Sequence, residues 1–121
     1  MVGWILLAGA AGAAARYAMH STATSSGATA FPWGTFAVNV TGSFALGVVV
    51  GLVVAHGVDP DVRTIVGTGF LGAYTTFSAF EYEGFALLDD GARTTAALYA
   101  AGSVVAGLTA AVAGLAVTGA L

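Results

Sequence analysis

The sequence predicts an all-α membrane protein with four transmembrane helices, and three observations lead to this fold class. Of the 121 residues, 58% are hydrophobic and only 7% are charged, whereas soluble domains carry about 25% charged residues. The hydrophobic residues form long runs, and short polar stretches separate these runs. A helix rises about 1.5 Å per residue and the bilayer core is about 30 Å thick, so each run can cross it. We therefore expect residues 1–121 to form one transmembrane domain without a soluble part.

The boundaries of the spans follow from charged residues, prolines and polar turns. Arg16 follows the first apolar run, whereas a signal peptide would have its basic residues before that run. Pro32 opens the second run, and proline is favoured in the first turn of a helix. Asp59 or Asp61 can cap the third helix. The predicted spans are residues 2–19, 32–56, 62–88 and 94–120, with residues 20–31 as a loop, so both termini lie on one side of the membrane.

Composition excludes several function classes. The chain has no cysteine, so disulfides and cysteine-based metal sites are excluded. Three arginines and no lysine stand against six acidic residues, and a nucleic-acid-binding surface would need a basic patch. The two histidines, His20 and His56, flank spans and lack the partners at suitable spacing that a metal site requires. No catalytic nucleophile–base pair is recognisable, and an enzyme is not expected.

Small residues at four-residue steps predict close helix packing. Helices in lipid associate through close backbone approach, because lipid tails are as apolar as the helix surfaces. We expect packing seams along three helices, and their residues are Gly9 and Ala13 in the first span, Ser43, Gly47 and Gly51 in the second, and Gly102, Ala106, Ala110, Gly114 and Thr118 in the fourth. Four helices packed in this way leave little interior, which favours an oligomer with its function at the subunit interface.

The distribution of arginines hardly specifies an orientation. Cytoplasmic loops normally carry an excess of Lys and Arg. Arg16 and Arg93 lie at one predicted face of the membrane and Arg63 lies at the other, so the bias is a single charge. Two interpretations stay open: the chain inserts both ways and pairs antiparallel with a second copy, or other factors set one orientation.

Several polar residues lie within or beside the predicted spans, where polar groups are costly. Thr35, Asn39 and Ser43 share one helix face. They provide either hydrogen bonds between helices or a polar track for a permeating species. Arg16 either extends to the headgroups or attracts anions to a vestibule, and Glu83 either extends to the interface or caps a helix.

The third span contains residues that weaken a helix at its centre. Gly67, Gly69 and Gly72 precede the β-branched pair Thr75 and Thr76, and glycine and β-branched residues both disfavour helix. A break at this point releases backbone carbonyls at mid-membrane, which is tolerated only in a protein interior or a cavity. Such carbonyls can coordinate a dehydrated cation.

Two phenylalanines follow the predicted break. Phe77 and Phe80 are three residues apart and share a helix face. They either pack against other helices or present the positive edges of their rings to a small anion.

Three motifs resemble the Fluc/CrcB family of fluoride channels. They are "GAAGAAARY" at residues 9–17, "PWGTFAVNVTGSFALG" at residues 32–47 and "GFLGAYTTFSAFEYE" at residues 69–83. The third motif is the most specific, and the resemblance extends over the whole chain. It implies an antiparallel, dual-topology homodimer with two pores, a third helix broken at mid-membrane, and a structural sodium ion at the dimer interface. The implied sodium ligands are the backbone carbonyls of Gly72 and Thr75 from both copies.

The resemblance also implies roles for individual side chains in a fluoride pore. The pore residues are Phe77, Phe80, Asn39, Ser78, Glu83 and, by position alone, Tyr99, with Thr35 and Ser43 on the polar face of Asn39, and Arg16 is the vestibule arginine. The chain departs from the family pattern at Ala73, which replaces a glycine, and at Ala79, which replaces a threonine and so removes one hydroxyl. The implied function is passive export of fluoride across the cell membrane.

Two alternative functions are weighed against this one. A proton-coupled small multidrug antiporter has a similar size, but it needs a carboxylate in its first helix, and the first span contains no Asp or Glu. A structural subunit of a larger membrane complex would explain the small-residue seams, but not the polar and aromatic second half of the third span.

Overall fold

The computed structural model describes residues 1–23 and 30–121, and within these ranges the chain is all-helical without a strand. It contains six α-helices and one π-helix: α1 (Val2–Ala23), α2 (Trp33–His56), α3 (Pro60–Val62), the π-helix (Arg63–Leu71), α4 (Gly72–Tyr74), α5 (Phe77–Asp89) and α6 (Arg93–Val117). Helix α1 is four residues longer than predicted, and half of the predicted loop, residues 24–29, lies outside the described residues. The chain is a multi-pass membrane protein.

Three helices are long and apolar enough to cross a membrane without interruption. They cover Val2–Thr22, Trp33–His56 and Arg93–Val117 among the described residues. The third predicted span instead consists of α3, the π-helix, α4 and α5. Asp59 is the N-cap of α3, since its carboxylate accepts a hydrogen bond from the Asp61 amide at 2.9 Å. A polar side chain at this position satisfies an amide that the first turn leaves unpaired.

Helices α2 and α6 lie side by side and run parallel to each other. A Cβ atom at Gly47 would overlap the carbonyl oxygen of Ala111, and one at Gly51 would overlap the Thr118 hydroxyl. From the other side, a Cβ at Gly114 would overlap the Phe44 carbonyl oxygen. The predicted seam of the second span is therefore confirmed at Gly47 and Gly51, because both permit backbone contact with α6.

The predicted seam of the fourth span is wrong at one end. Gly114 and Thr118 contact α2, but a Cβ at Gly102 would meet no atom within 4 Å in the described part of the chain. Twelve residues separate Gly102 from Gly114, and this spacing rotates Gly102 about 120° away from the helix face that meets α2. A strict four-residue stripe therefore leaves the contact face within three turns.

Gly114→Ala and Gly102→Ala are expected to have opposite effects on stability. The new methyl of Gly114→Ala must displace α2 backbone, which should lower the free energy of unfolding by about 1–3 kcal/mol. Gly102→Ala adds a methyl in open space and replaces a poor helix former, which should raise it by up to about 1 kcal/mol. Unfolding of the purified protein by SDS would measure both, and equal effects would contradict the seam.

Helix α1 packs against the π-helix, and the two run parallel. A Cβ at Gly12 would overlap the carbonyl of Phe70, and Gly69 lies against Ile5 and Ala8. The predicted seam on α1 is confirmed at Gly9, which faces the Gly69 carbonyl, but Gly12 rather than Ala13 makes the closest approach, because Ala13 is exposed. The partner of α1 is π-helical over all nine residues of this element, and π-helices of this length are rare.

The helix of the third span is interrupted between Tyr74 and Phe77. Thr75 and Thr76 have extended backbone angles, with φ −80° and ψ 160° for Thr75 and φ −149° and ψ 125° for Thr76. The three glycines before them remain helical. The predicted interruption is therefore present, and it falls at the threonine pair. Of the three glycines, Gly69 packs closely against α1, whereas Gly72 is exposed and its Cβ would meet only the Gly67 carbonyl oxygen at 3.8 Å.

Two small cores lie on either side of this interruption. The first contains Val38, Leu71 and Tyr74, and it joins α2 to the first half of the third span. The second contains Leu87, Ala96 and Tyr99, and it joins α5 to α6. The two halves of the third span are thus held by different neighbours, which fixes the extended pair between them.

Candidate functional site

A groove of about 380 Å³ lies where α2, the interrupted span and α6 meet. Its polar lining comes from Asn39, Ser43, Thr75, Thr76 and Ser103, and its aromatic lining comes from Phe77 and Phe80. A concave, largely apolar site with a few convergent polar groups is the usual form of a small-ligand site. The groove is therefore the candidate functional site, and it contains four of the predicted pore residues.

The side-chain amide of Asn39 fixes the interrupted backbone. Its Nδ2 donates to the Thr76 carbonyl at 2.8 Å, and its Oδ1 accepts from the Thr76 amide at 2.8 Å. This pair of bonds replaces the hydrogen bonds that Thr76 would make in a helix. An asparagine amide carries two N–H donors. One of them donates to Thr76, so the second N–H of Asn39 remains for another acceptor.

The interruption also releases the backbone carbonyls of Gly72 and Thr75, which the family resemblance implies as sodium ligands. In a continuous helix each carbonyl accepts from the amide four residues later. The Thr76 amide, which would serve Gly72, donates to Asn39. The Ala79 amide, which would serve Thr75, donates to the Thr76 hydroxyl at 3.2 Å. The carbonyls of Gly72 and Thr75 have thus lost their helical donors to side chains, and carbonyl oxygens of this kind fit a small cation.

Three aromatic rings form a line from the edge of the groove into the chain. The ring centroids of Phe77 and Phe80 are 5.8 Å apart, and those of Phe80 and Tyr99 are 5.2 Å apart. Phe77 is 73% exposed, whereas Tyr99 is fully buried. The Tyr99 ring also meets Phe31 edge to face at 5.4 Å. Phe77 and Phe80 share a helix face, as predicted. Tyr99 packs against Phe80, although no sequence motif identified it.

Two buried hydroxyls of α6 have no hydrogen-bond partner among the described residues. They belong to Tyr99 and Ser103, which are four residues apart and therefore on one helix face. Unsatisfied buried hydroxyls are rare and need an explanation, such as a ligand or an ion. Ser103 was missed in the sequence, although its spacing from Tyr99 was a usable signal.

The other predicted site residues lie outside the lining of this groove. Thr35 is fully buried and its hydroxyl donates to the Glu83 carboxylate at 2.5 Å. Ser78 is exposed, and its hydroxyl lies 3.3 Å from that of Thr76. Arg16 is half-buried on α1 and makes no salt bridge in the described part of the chain. Within the groove, Ser43 donates to the Asn39 carbonyl at 2.8 Å, so it is held by its own helix.

Comparison with known protein families decides the assignment of the chain. The family model described as CrcB-like protein, Camphor Resistance (CrcB), matches residues 3–115. The chain belongs to the CrcB family. The resemblance in the three sequence motifs is thereby confirmed, and this CrcB-family chain is not an enzyme.

Curated relatives of this CrcB-family chain carry the name of an ion channel. The Fluoride-specific ion channel FluC of Acidobacterium capsulatum is 44% identical over 108 residues, which are 88% of this chain and 86% of the relative. The Fluoride-specific ion channel FluC 1 of Symbiobacterium thermophilum is 47% identical over 117 residues, covering 93% of this chain and 94% of the relative. FluC 1 of Frankia casuarinae is also 47% identical, over 121 residues and 93% of each chain.

Proposed function

We propose that this protein is a fluoride-selective channel that lets fluoride leave the cell down its electrochemical gradient. Its relatives are named fluoride-specific ion channels, and it covers most of their length. The structural observation that carries the proposal is the line of Phe77, Phe80 and Tyr99 beside buried hydroxyls without partners. Hydrofluoric acid enters cells as a neutral molecule and ionises inside, so a passive pathway for the anion lowers fluoride toxicity.

Fluoride must exchange its strong hydration for protein donors when it enters a narrow pore. The second N–H of Asn39 and the hydroxyls of Tyr99 and Ser103 supply hydrogen bonds. The edges of Phe77 and Phe80 supply positive electrostatic potential without a strong binding site. Thr35, Ser43, Ser78 and Glu83 extend the polar line on either side, and Arg16 provides positive charge at the vestibule.

The functional unit is an antiparallel, dual-topology homodimer with two pores. The exposed face of Phe77 and the open side of the groove need a second surface to enclose an ion. The bias of one arginine between the two faces supports insertion in both orientations. In this arrangement the interruption at Thr75 and Thr76 lies near the middle of the membrane.

A structural sodium ion binds where the interrupted spans of the two copies meet. Its ligands are the Gly72 and Thr75 carbonyls of both copies, and the loss of their helical donors supports this assignment. Gly72 is exposed on the surface of the single chain, as a residue shared between two copies should be. The ion serves the structure of the dimer and takes no part in transport.

Efflux from liposomes tests the proposed function. Vesicles loaded with potassium fluoride and carrying the purified protein should release fluoride when valinomycin is added, and vesicles loaded with potassium chloride should release far less chloride. The narrow path between the rings should exclude the larger ion. Equal release of the two halides would contradict selectivity, and fluoride release no faster than from protein-free vesicles would contradict the function.

A further inference from the structure

A carboxylate lies on the line that fluoride is proposed to follow. Glu83 accepts a hydrogen bond from the fully buried Thr35 hydroxyl, and its own side chain is only 24% exposed. A fixed negative charge in a weakly screened position repels an anion. A pathway past Glu83 therefore needs a positive charge close to this carboxylate.

The imidazole of His20 is in a position to supply that charge. Its Nε2 lies 4.0 Å from Oε1 of Glu83, and the His20 side chain is 42% exposed. His20 lies near the carboxyl end of α1, and Glu83 lies in the middle of α5. The contact thus connects the exposed end of α1 to the buried Thr35–Glu83 pair, and it forms an ion pair only when the imidazole is protonated.

Other titratable groups around this contact do not substitute for His20. On α1 itself, Arg16 lies one turn earlier and makes no salt bridge within the described residues. From α4, the Tyr74 hydroxyl is paired with Thr41 at 2.8 Å, and from α6, Tyr99 is fully buried with its ring against that of Phe80. Arg63 of the π-helix and His56 of α2 lie toward the opposite end of α1, because α1 runs parallel to the π-helix and α2 returns in the other direction.

We infer that protonation of His20 neutralises the Glu83 carboxylate and thereby increases fluoride flux as the pH falls. Histidine is the side chain whose charge changes most readily near physiological pH, which suits it to a switch. Protonated His20 adds a positive charge, and the charge of the His20–Glu83 pair changes from −1 to zero. Flux is high on the acidic side of this transition and low on the alkaline side. The inference rests on the proposed fluoride function.

The test is fluoride efflux from liposomes with equal internal and external pH, at pH 6 and at pH 8. Efflux is started with valinomycin, and the rate from protein-free vesicles at each pH is subtracted to remove the leak of undissociated acid. Wild-type flux should be at least about fivefold higher at pH 6, which is the effect of one unit charge at about 4 Å in bulk water, because the partly buried site is screened less than that. His20→Gln should keep the low flux at both pH values, and His20→Lys should keep the high flux at both.

His56→Gln is the matched control, since the chain has only two histidines and His56 contacts the Thr118 carbonyl, away from the groove. It should retain the wild-type pH response. A wild-type flux that is the same at both pH values, or a His20→Gln variant that still responds to pH, would overturn the role of His20 and leave the channel function standing. Absence of fluoride flux from wild-type protein at both pH values would overturn the channel function and this inference with it.

Discussion

Asn39→Ala is expected to abolish fluoride flux and to lower the free energy of unfolding by about 2–6 kcal/mol. The substitution removes both bonds from Asn39 to the backbone of Thr76. It leaves a donor and an acceptor without partners, and each such group costs about 1–3 kcal/mol. At the proposed mid-membrane position of the interruption, no water replaces the lost partner. The extended pair Thr75–Thr76 should therefore rearrange, and the donor to fluoride is lost as well.

Thr41→Val is the matched control for this substitution. Thr41 lies on the same helix, and its hydroxyl pairs with that of Tyr74, the last residue before the interruption, and not with the extended pair itself. We expect a small loss of stability and retained flux. SDS unfolding and liposome efflux would be measured on both variants. An Asn39→Ala protein with wild-type stability would contradict the role of Asn39 in fixing the interruption, and wild-type flux would remove it from the pore.

Phe80→Ile should reduce fluoride flux about tenfold while the protein remains folded. Phe80 is the middle ring of the aromatic line, 5.8 Å from Phe77 and 5.2 Å from Tyr99. Isoleucine fills much of the same space but has no positive ring edge. Aromatic interactions are worth about 0.5–1.5 kcal/mol, and a barrier raised by about 1.4 kcal/mol slows flux tenfold.

Phe85→Ile provides the control for Phe80→Ile. Phe85 is on the same helix and is 62% exposed, and it does not line the groove. Its replacement should leave efflux unchanged in the same liposome assay. A Phe80→Ile protein that is stable in SDS and conducts at the wild-type rate would remove the Phe80 ring from the permeation pathway.

The sequence predicted the helices well because their signals are local. Long apolar runs give the crossings, and the Thr75–Thr76 pair gives the interruption, since β-branched residues weaken helix regardless of their neighbours. The capping role of Asp59 was predictable for the same reason. The π-helix was not predicted, because residues Arg63–Leu71 carry no local signal that separates a π-helix from an α-helix. The spacing of apolar residues alone does not distinguish a π-helix from an α-helix.

Contacts between distant residues set the limits of the sequence prediction. The polar face of Asn39 was recognisable, but the partner of Asn39 is the backbone of a residue 37 positions later. Gly102 belongs to the same four-residue stripe as Gly114, yet only Gly114 is close to α2, because twelve residues turn Gly102 onto another face of α6. The predicted sodium and fluoride ligands stay predictions. For the sodium ligands, the structure adds one observation: the carbonyls of Gly72 and Thr75 have lost the amide donors that a continuous helix would provide.

The interruption of the third span, which we propose to cross the membrane, has a consequence for the biogenesis of the protein. Helix α5 has 13 residues, which reach about 20 Å, less than the bilayer core of about 30 Å. Alone in lipid, such a segment would expose bare peptide groups to acyl chains. Asn39 precedes it in the chain and is therefore synthesised first. We expect the third crossing to leave the translocon together with α2, as a pair already joined at Thr76, and not as an independent helix.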